Sequence, residues 1–127
     1  MEKEPLVLCD TNIIIEFYKE NPVIVDSLKS IGQEAIAVSI VTSGELIYGA
    51  LNKRELTRIK KDLSYLKVLD IGRQVCDQFI ELMTNYSLSH NLSVPDGLIA
   101  ATSIAHDIPL YTLNKKDFKY IDGLKLW

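Results

Sequence analysis

The sequence predicts an α/β fold: a three-layer α/β/α sandwich around a central, mainly parallel sheet of four to five strands. Three observations carry this. Residues 6–9 form an apolar run without polar alternation, the pattern of a strand buried on both faces. Short apolar runs recur at 36–39, 68–71 and 109–112 and alternate with segments of helical period. Capping residues such as Ser39 and Ser93 open the helices between them. Alternation of this kind implies parallel strands joined by right-handed crossovers. All strands then point the same way, and their carboxyl ends share the edge where open sheets place their working sites.

In chain order, the first strand ends at Asp10. Asp10, Thr11 and Asn12 can each cap a helix over 13–19, in which Ile13 pairs with Phe17 and Ile14 with Tyr18. Pro22 suits the first turn of a second helix, with Val23, Leu28 and Ile31 facing inward and Gly32 closing it. After the strand at 36–39, Ser39 caps a helix over 40–51 that carries Glu45 in its second turn. Residues 52–66 read as an amphipathic helix: Leu56, Ile59, Leu63 and Leu66 mark one face, and Lys53, Arg54, Arg58, Lys60 and Lys61 make the other basic. A strand at 68–71 leads to a long helix from 73 to about 90. Ser93, Pro95 and Asp96 form the next helix start, and Leu98, Ile99, Ala101, Ile104 and Ala105 make that helix apolar nearly all round, hence buried. The strand at 109–112 exits through Asn114, Lys115, Lys116 and Asp117, and 124–127 can add an edge strand. Without repeats, low-complexity segments or linkers, residues 1–127 read as one domain.

Composition agrees. With 127 residues, 47% hydrophobic and 24% charged, the chain can bury an ordinary globular core. No apolar run approaches the length of a membrane span, and the MEKEP start is too short and too acidic for a signal peptide, so the expected location is cytoplasmic and no membrane partner is expected. Cys9 and Cys76 are then expected to be reduced, packed thiols. The net charge of −3 argues against nucleic-acid binding through a basic surface, but a site that recruits cations escapes that objection.

Four acids fall where the topology converges: Asp10 after the first strand, Glu45 early in the helix after the second, Asp96 in a first helical turn, and Asp117 past the fourth strand. Carboxylates crowded into one cleft repel one another unless a cation joins them. Oxygen-only ligands suit Mg²⁺, with Mn²⁺ a workable substitute, and such a centre activates water and offsets phosphoryl charge during phosphodiester hydrolysis. Each acid also has a plainer role. Asp10 fits a helix cap, Asp96 fits a first helical turn where the helix dipole favours an acid, and Asp117 fits a polar turn. Glu45 is hardest to dismiss, because Leu46, Ile47 and Ala50 give it an apolar neighbourhood. His90 and His106 read as surface residues, Ser103 has no base near it in sequence, and no glycine-rich phosphate loop is present. Lys115, Lys116 and Lys119, near the proposed cleft, are placed to meet phosphates.

The segments LVLCDTNIII, SIVTSGELIYGA and VPDGLIAATSIAHDIPLYTLNKKDF together resemble the PIN domain, and in particular VapC-type toxins of type II toxin–antitoxin pairs. The resemblance spans nearly the whole chain. It implies a Mg²⁺-dependent endoribonuclease that cuts structured RNA, is inhibited by a cognate antitoxin, and is usually a homodimer. Asp10 and Asp96 would be the principal ligands, Glu45 and Asp117 would complete the acidic pocket, Thr11 and Asn12 would support Asp10, and Thr112 and Asn114 would line the wall beside Asp117. The helices around 46–66 would offer the antitoxin its surface. Two other readings compete: a non-catalytic PIN-like module that binds RNA or protein, and a phosphatase with Asp10 as nucleophile. The phosphatase is disfavoured because its usual second aspartate is replaced by Asn12.

Overall fold

The computed structural model describes residues 5–127, and the reading of the first residues as no signal peptide lies largely outside them. Among the described residues, four strands and six α-helices follow in the order β1 (Val7–Cys9), α1 (Thr11–Tyr18), α2 (Pro22–Ile31), β2 (Ile36–Ser39), α3 (Ile40–Tyr48), α4 (Lys53–Ser64), β3 (Lys67–Leu69), α5 (Arg73–His90), α6 (Val94–His106) and β4 (Leu110–Tyr111). The sheet order is β3-β2-β1-β4, and every pairing is parallel.

The strands divide their side chains between two apolar layers, as period-two geometry requires. Val7 and Cys9 of β1, Ile36 and Val38 of β2, and Tyr111 of β4 pack with Ile13, Ile24, Leu28 and Leu46 on one face. Leu8, Ala37 and Leu110 face the other way, onto Val75, Leu82, Ile99 and Ala100 of α5 and α6. Helices therefore cover both faces of the sheet, and β1 lies between strands reached by chain running in opposite directions. The order reverses between β1 and β4, so Asp10 and Thr112 emerge at the switch point where a parallel sheet opens its crevice.

Several boundaries differ from expectation. The first helix starts at Thr11, two residues early, because Asp10 itself is the cap and accepts Thr11 N–H. The third helix stops at Tyr48 with Gly49 as its cap, short of Leu51. Val23 is 70% exposed; the rotation of α2 set by its Asn21 cap turns Ile24 inward instead. Gly32, at φ +88°, closes α2 in a conformation that side chains other than glycine's rarely adopt. The third strand is displaced by one residue at its start and two at its end. The expected edge strand at 124–127 contracts to a bridge between Leu110 and Leu126, flanked by Leu110 N–H to Lys125 C=O and Trp127 N–H to Leu110 C=O. Cys9 is buried, with its thiol pushed up to about 12 by burial and the neighbouring Asp10 charge. Cys76 is exposed on the outer face of α5, contrary to the expectation that it packs.

Candidate active site

Asp10 is 6% exposed, and both carboxylate oxygens are engaged. Oδ1 accepts Thr11 N–H at 2.8 Å and Oδ2 accepts the Thr112 hydroxyl at 2.8 Å. The cap role and an acidic-pocket role therefore coincide in one side chain. Thr112, fully buried, also accepts Asn114 N–H at 3.1 Å, which ties the exit of β4 to the exit of β1. The Asn12 side-chain carbonyl accepts Leu113 N–H at 3.4 Å across the same seam.

Glu45 reaches the site from α3. Its Oε1 accepts the Thr11 hydroxyl at 2.7 Å, and Thr11 Oγ1 lies 2.9 Å from Thr42 Oγ1. Glu45 is exposed, not buried as its sequence neighbours suggested: Leu46 turns into the core while Gly44, Glu45 and Ile47 face outward. Thr42 and Ser39, buried beneath it, form a small hydroxyl network that the sequence reading did not single out.

Asp96 sits in the first turn of α6, where Ser93 caps the helix by accepting Asp96 N–H at 3.2 Å. Gly97, next to it, lies so close to α5 that a Cβ would fall 2.8 Å from Met83 Sδ. The missing side chain thus lets α6 approach α5 and sets the depth of Asp96. Asp117 ends a short 3-10 turn, Lys115–Asp117, and is exposed.

Electrostatics links the four acids. Burial raises the pKa of Asp10 above the ordinary carboxylate value; the hydrogen bonds from Thr112 and Thr11 oppose the rise, and the charges of Glu45 and Asp117 add to it. Asp96 is raised by burial, then by Asp10, with Ser93 opposing and Asp117 and Glu45 adding. Tyr120 is raised by burial and by Asp96, Asp117 and Tyr86. None of the ion pairs among the described residues involves any of the four acids. Also among the described residues, no three His, Cys, Asp or Glu are gathered into a ready cation-binding group. Glu45 and Asp117 are therefore near enough to raise the proton affinity of Asp10 and Asp96, without the four acids being collapsed onto one point. Four oxygen donors carrying unbalanced charge fit a hard divalent ion, which keeps several of its waters and takes only a few direct carboxylates.

A cavity of about 310 Å³ opens beside Asp96 and Asp117. Lys116 lines it, whereas Lys115 and Lys119 lie exposed on the same segment outside its lining. His90 and Tyr120 line it too, and the sequence reading missed both as site residues. His90 is a surface residue as expected, but no motif spacing ties the end of α5 to the segment after β4. His106 is exposed at the end of α6, away from the lining. A second, apolar groove of about 480 Å³ runs between α1, α2 and α4, with Phe17, Tyr18, Val25, Leu28 and Tyr65 in its walls.

Comparison with known proteins agrees with this architecture. The PIN domain family model matches residues 7–124. Ribonuclease VapC1 of Rickettsia felis is 30% identical over 128 residues, covering 94% of this chain and 93% of its own. Ribonuclease VapC10 of Mycobacterium tuberculosis is 29% identical, covering 94% and 91% respectively. A toxin–antitoxin complex from Klebsiella pneumoniae aligns with a TM-score of 0.80 at 28% identity, over 93% of this chain and 94% of that one. Matched from its first strand to the segment beyond its last, and carrying its acids at the sheet's switch point, the chain belongs to the PIN domain family and, within it, to the VapC-type proteins.

Proposed function

We propose that this chain is a metal-dependent endoribonuclease, the toxin of a type II toxin–antitoxin pair, acting as a single PIN domain. The observation that carries the reading is that burial raises both Asp10 and Asp96, that Glu45 and Asp117 raise Asp10 further and Asp10, Asp117 and Glu45 raise Asp96 further, and that no ion pair among the described residues offsets them. Asp10 and Asp96 hold the ion, Glu45 and Asp117 complete its surroundings, and Mg²⁺, with Mn²⁺ as substitute, is the cation. When bound, such an ion supplies Lewis acidity that makes water a better nucleophile near neutral pH and offsets charge on the phosphoryl oxygens. Thr11 and Thr112 fix the rotamers of Glu45 and Asp10, so these acids meet the substrate already oriented. Lys116 meets a backbone phosphate at the rim.

The relatives' names support RNA as substrate, and the solved toxin–antitoxin complex supports a protein inhibitor. An apolar segment of the antitoxin suits the groove between α1, α2 and α4, which extends the expected surface on α4 toward α1 and α2. A homodimer acting in the cytoplasm completes the reading; among the described residues no helix is long and apolar enough to cross a membrane.

The test is cleavage of RNA by the purified protein with Mg²⁺ or Mn²⁺ and with a chelator. Cleavage is expected only with the ion, and Asp96→Asn and Asp10→Asn should abolish both cleavage and toxicity. Cleavage that persists in chelator, or toxicity retained by Asp10→Asn, overturns the mechanism; the second outcome favours a binding module.

A further inference from the structure

The cavity beside Asp96 and Asp117 carries an aromatic cluster that the hydrolysis itself does not use. His90, the last residue of α5, stacks on Tyr120 with ring centroids 4.0 Å apart and planes 13° from parallel. Tyr86, one turn earlier, meets His90 and Tyr120 edge-on at 5.7 and 5.2 Å. Its hydroxyl accepts Asp122 N–H at 3.2 Å, so Tyr86 ties α5 to the segment after β4. His90 has a different character. It is exposed, and Ser89 Oγ lies 2.7 Å from its Nδ1, which fixes the plane of the ring. An imidazole held in orientation over a second ring, on the wall of a cavity, is organised for stacking before any ligand arrives.

The other walls define that ligand. Asp96 and Asp117 belong to the acidic site, Lys116 supplies a positive charge, and Asn91 presents a carboxamide with both donor and acceptor. The volume of about 310 Å³ lies at the small end of ligand sites, with room for one nucleoside rather than a duplex. A flat π-face, a hydrogen-bonding edge and a phosphate joined to both match these walls in turn.

We propose that His90 and Tyr120 are the stacking platform for one base of the RNA, flanking the scissile phosphate, with Asn91 reading that base's edge. This rests on the endoribonuclease reading for the position of the phosphate but not for the existence of the base site. Stacking on aromatic side chains tolerates every base, so selectivity at this position comes from Asn91. Asn91 closes α5 at φ +55°, and Asn91→Gly therefore removes the amide while keeping the left-handed turn.

Two measurements on the full chain test this. In the first, the four nucleoside 5′-monophosphates are titrated while the imidazole proton resonances are followed; the chain has two histidines, and His90→Phe assigns them. Ring-current shifts are expected at His90 and not at His106; no shift at His90 with any nucleotide overturns the site. In the second, a random-sequence RNA pool is cleaved with Mg²⁺ and the ends are sequenced, with KM and kcat measured on one preferred substrate. His90→Ala should raise KM by about fivefold or more, the lower end of base–aromatic stacking, with the loss in KM rather than kcat. His90→Phe should restore KM, and Asn91→Gly should flatten the base preference at one position beside the cut. A His90→Ala protein that melts lower but keeps the wild-type KM and preference shows the stack to be structural and overturns the proposal. Nucleotide-dependent shifts at His90 without any RNA cleavage support the base site and count against the nuclease reading alone.

Discussion

The Thr112 hydroxyl donates to Asp10 Oδ2 at 2.8 Å, joining two residues 102 positions apart at adjacent strand ends. The bond opposes the rise that burial imposes on Asp10, so it keeps the carboxylate closer to its ionised, cation-binding form. Thr112→Val preserves shape and removes the donor. The acidic limb of the pH–rate profile should move to higher pH, because Asp10 then gives up its proton later. Stability should fall by about 1–2 kcal/mol, since Asn114 N–H also loses its acceptor. An unmoved acidic limb would separate Asp10 from the rate.

Without metal, the acidic pocket should make stability depend on pH in an unusual direction. Asp10 and Asp96 are both raised above the ordinary 3.8 in the folded protein. Above that value the folded state binds more protons than the unfolded state, so stability falls as pH climbs from 3.8 through the elevated folded values. In chelator, the contribution of these two groups to the melting temperature should decline across that interval, and Asp96→Asn should make the decline shallower. At neutral pH, Asp96→Asn should melt no lower than wild type. Marked destabilisation of Asp96→Asn in chelator would make Asp96 a structural group.

Gly97→Ala tests how closely α6 must approach α5. Alanine favours the helix by about 1 kcal/mol. Its Cβ, however, meets Met83 Sδ at 2.8 Å and Phe79 Cε1 at 3.2 Å, and such overpacking costs about 1–3 kcal/mol. The expected result is equal or lower stability by thermal melting, with a larger loss of cleavage, because Asp96 moves with the helix. Unchanged cleavage would show that the depth of Asp96 is not critical.

Thr11→Val removes the hydroxyl that holds Glu45 Oε1 at 2.7 Å. Glu45 is exposed, so melting should change little, while cleavage should fall as the Glu45 side chain gains freedom. Equal loss in stability and activity would point to repacking of α1 instead.

The layers of the fold were legible because β1 and β2 are buried, largely apolar runs and most helices open on a side-chain cap; β3, with Lys67 exposed at its start, and α5, which opens on Gly72 without such a cap, carry weaker signals. Asp10 and Asp96 could be singled out because each stands at a helix start, Asp10 as the cap of α1 and Asp96 in the first turn behind the Ser93 cap, which ties local sequence to a definite place at a sheet edge. Exposure was harder to read. Glu45 sits among apolar neighbours, but a helix rotates successive residues by 100°, and Leu46 takes the inward direction in its place. Val23 and Ile24 exchanged faces for the same reason. The expectation for Cys76 rested on the general tendency of thiols to pack, whereas its place early in α5 points outward. His90 and Tyr120 left no trace in sequence spacing, because their stack is made by tertiary contact between the end of α5 and the segment after β4.

The strand order also sets when, in synthesis, the acidic site can be assembled. β1, one of the two inner strands, is synthesised before the other three, yet one of its two neighbours, β4, follows all of them in the chain. Until β4 emerges, Asp10 has neither Thr112 beside it nor a closed crevice above it. The acidic site is therefore assembled only once the segment after α6 has folded back against β1, and no shorter piece of the chain contains it.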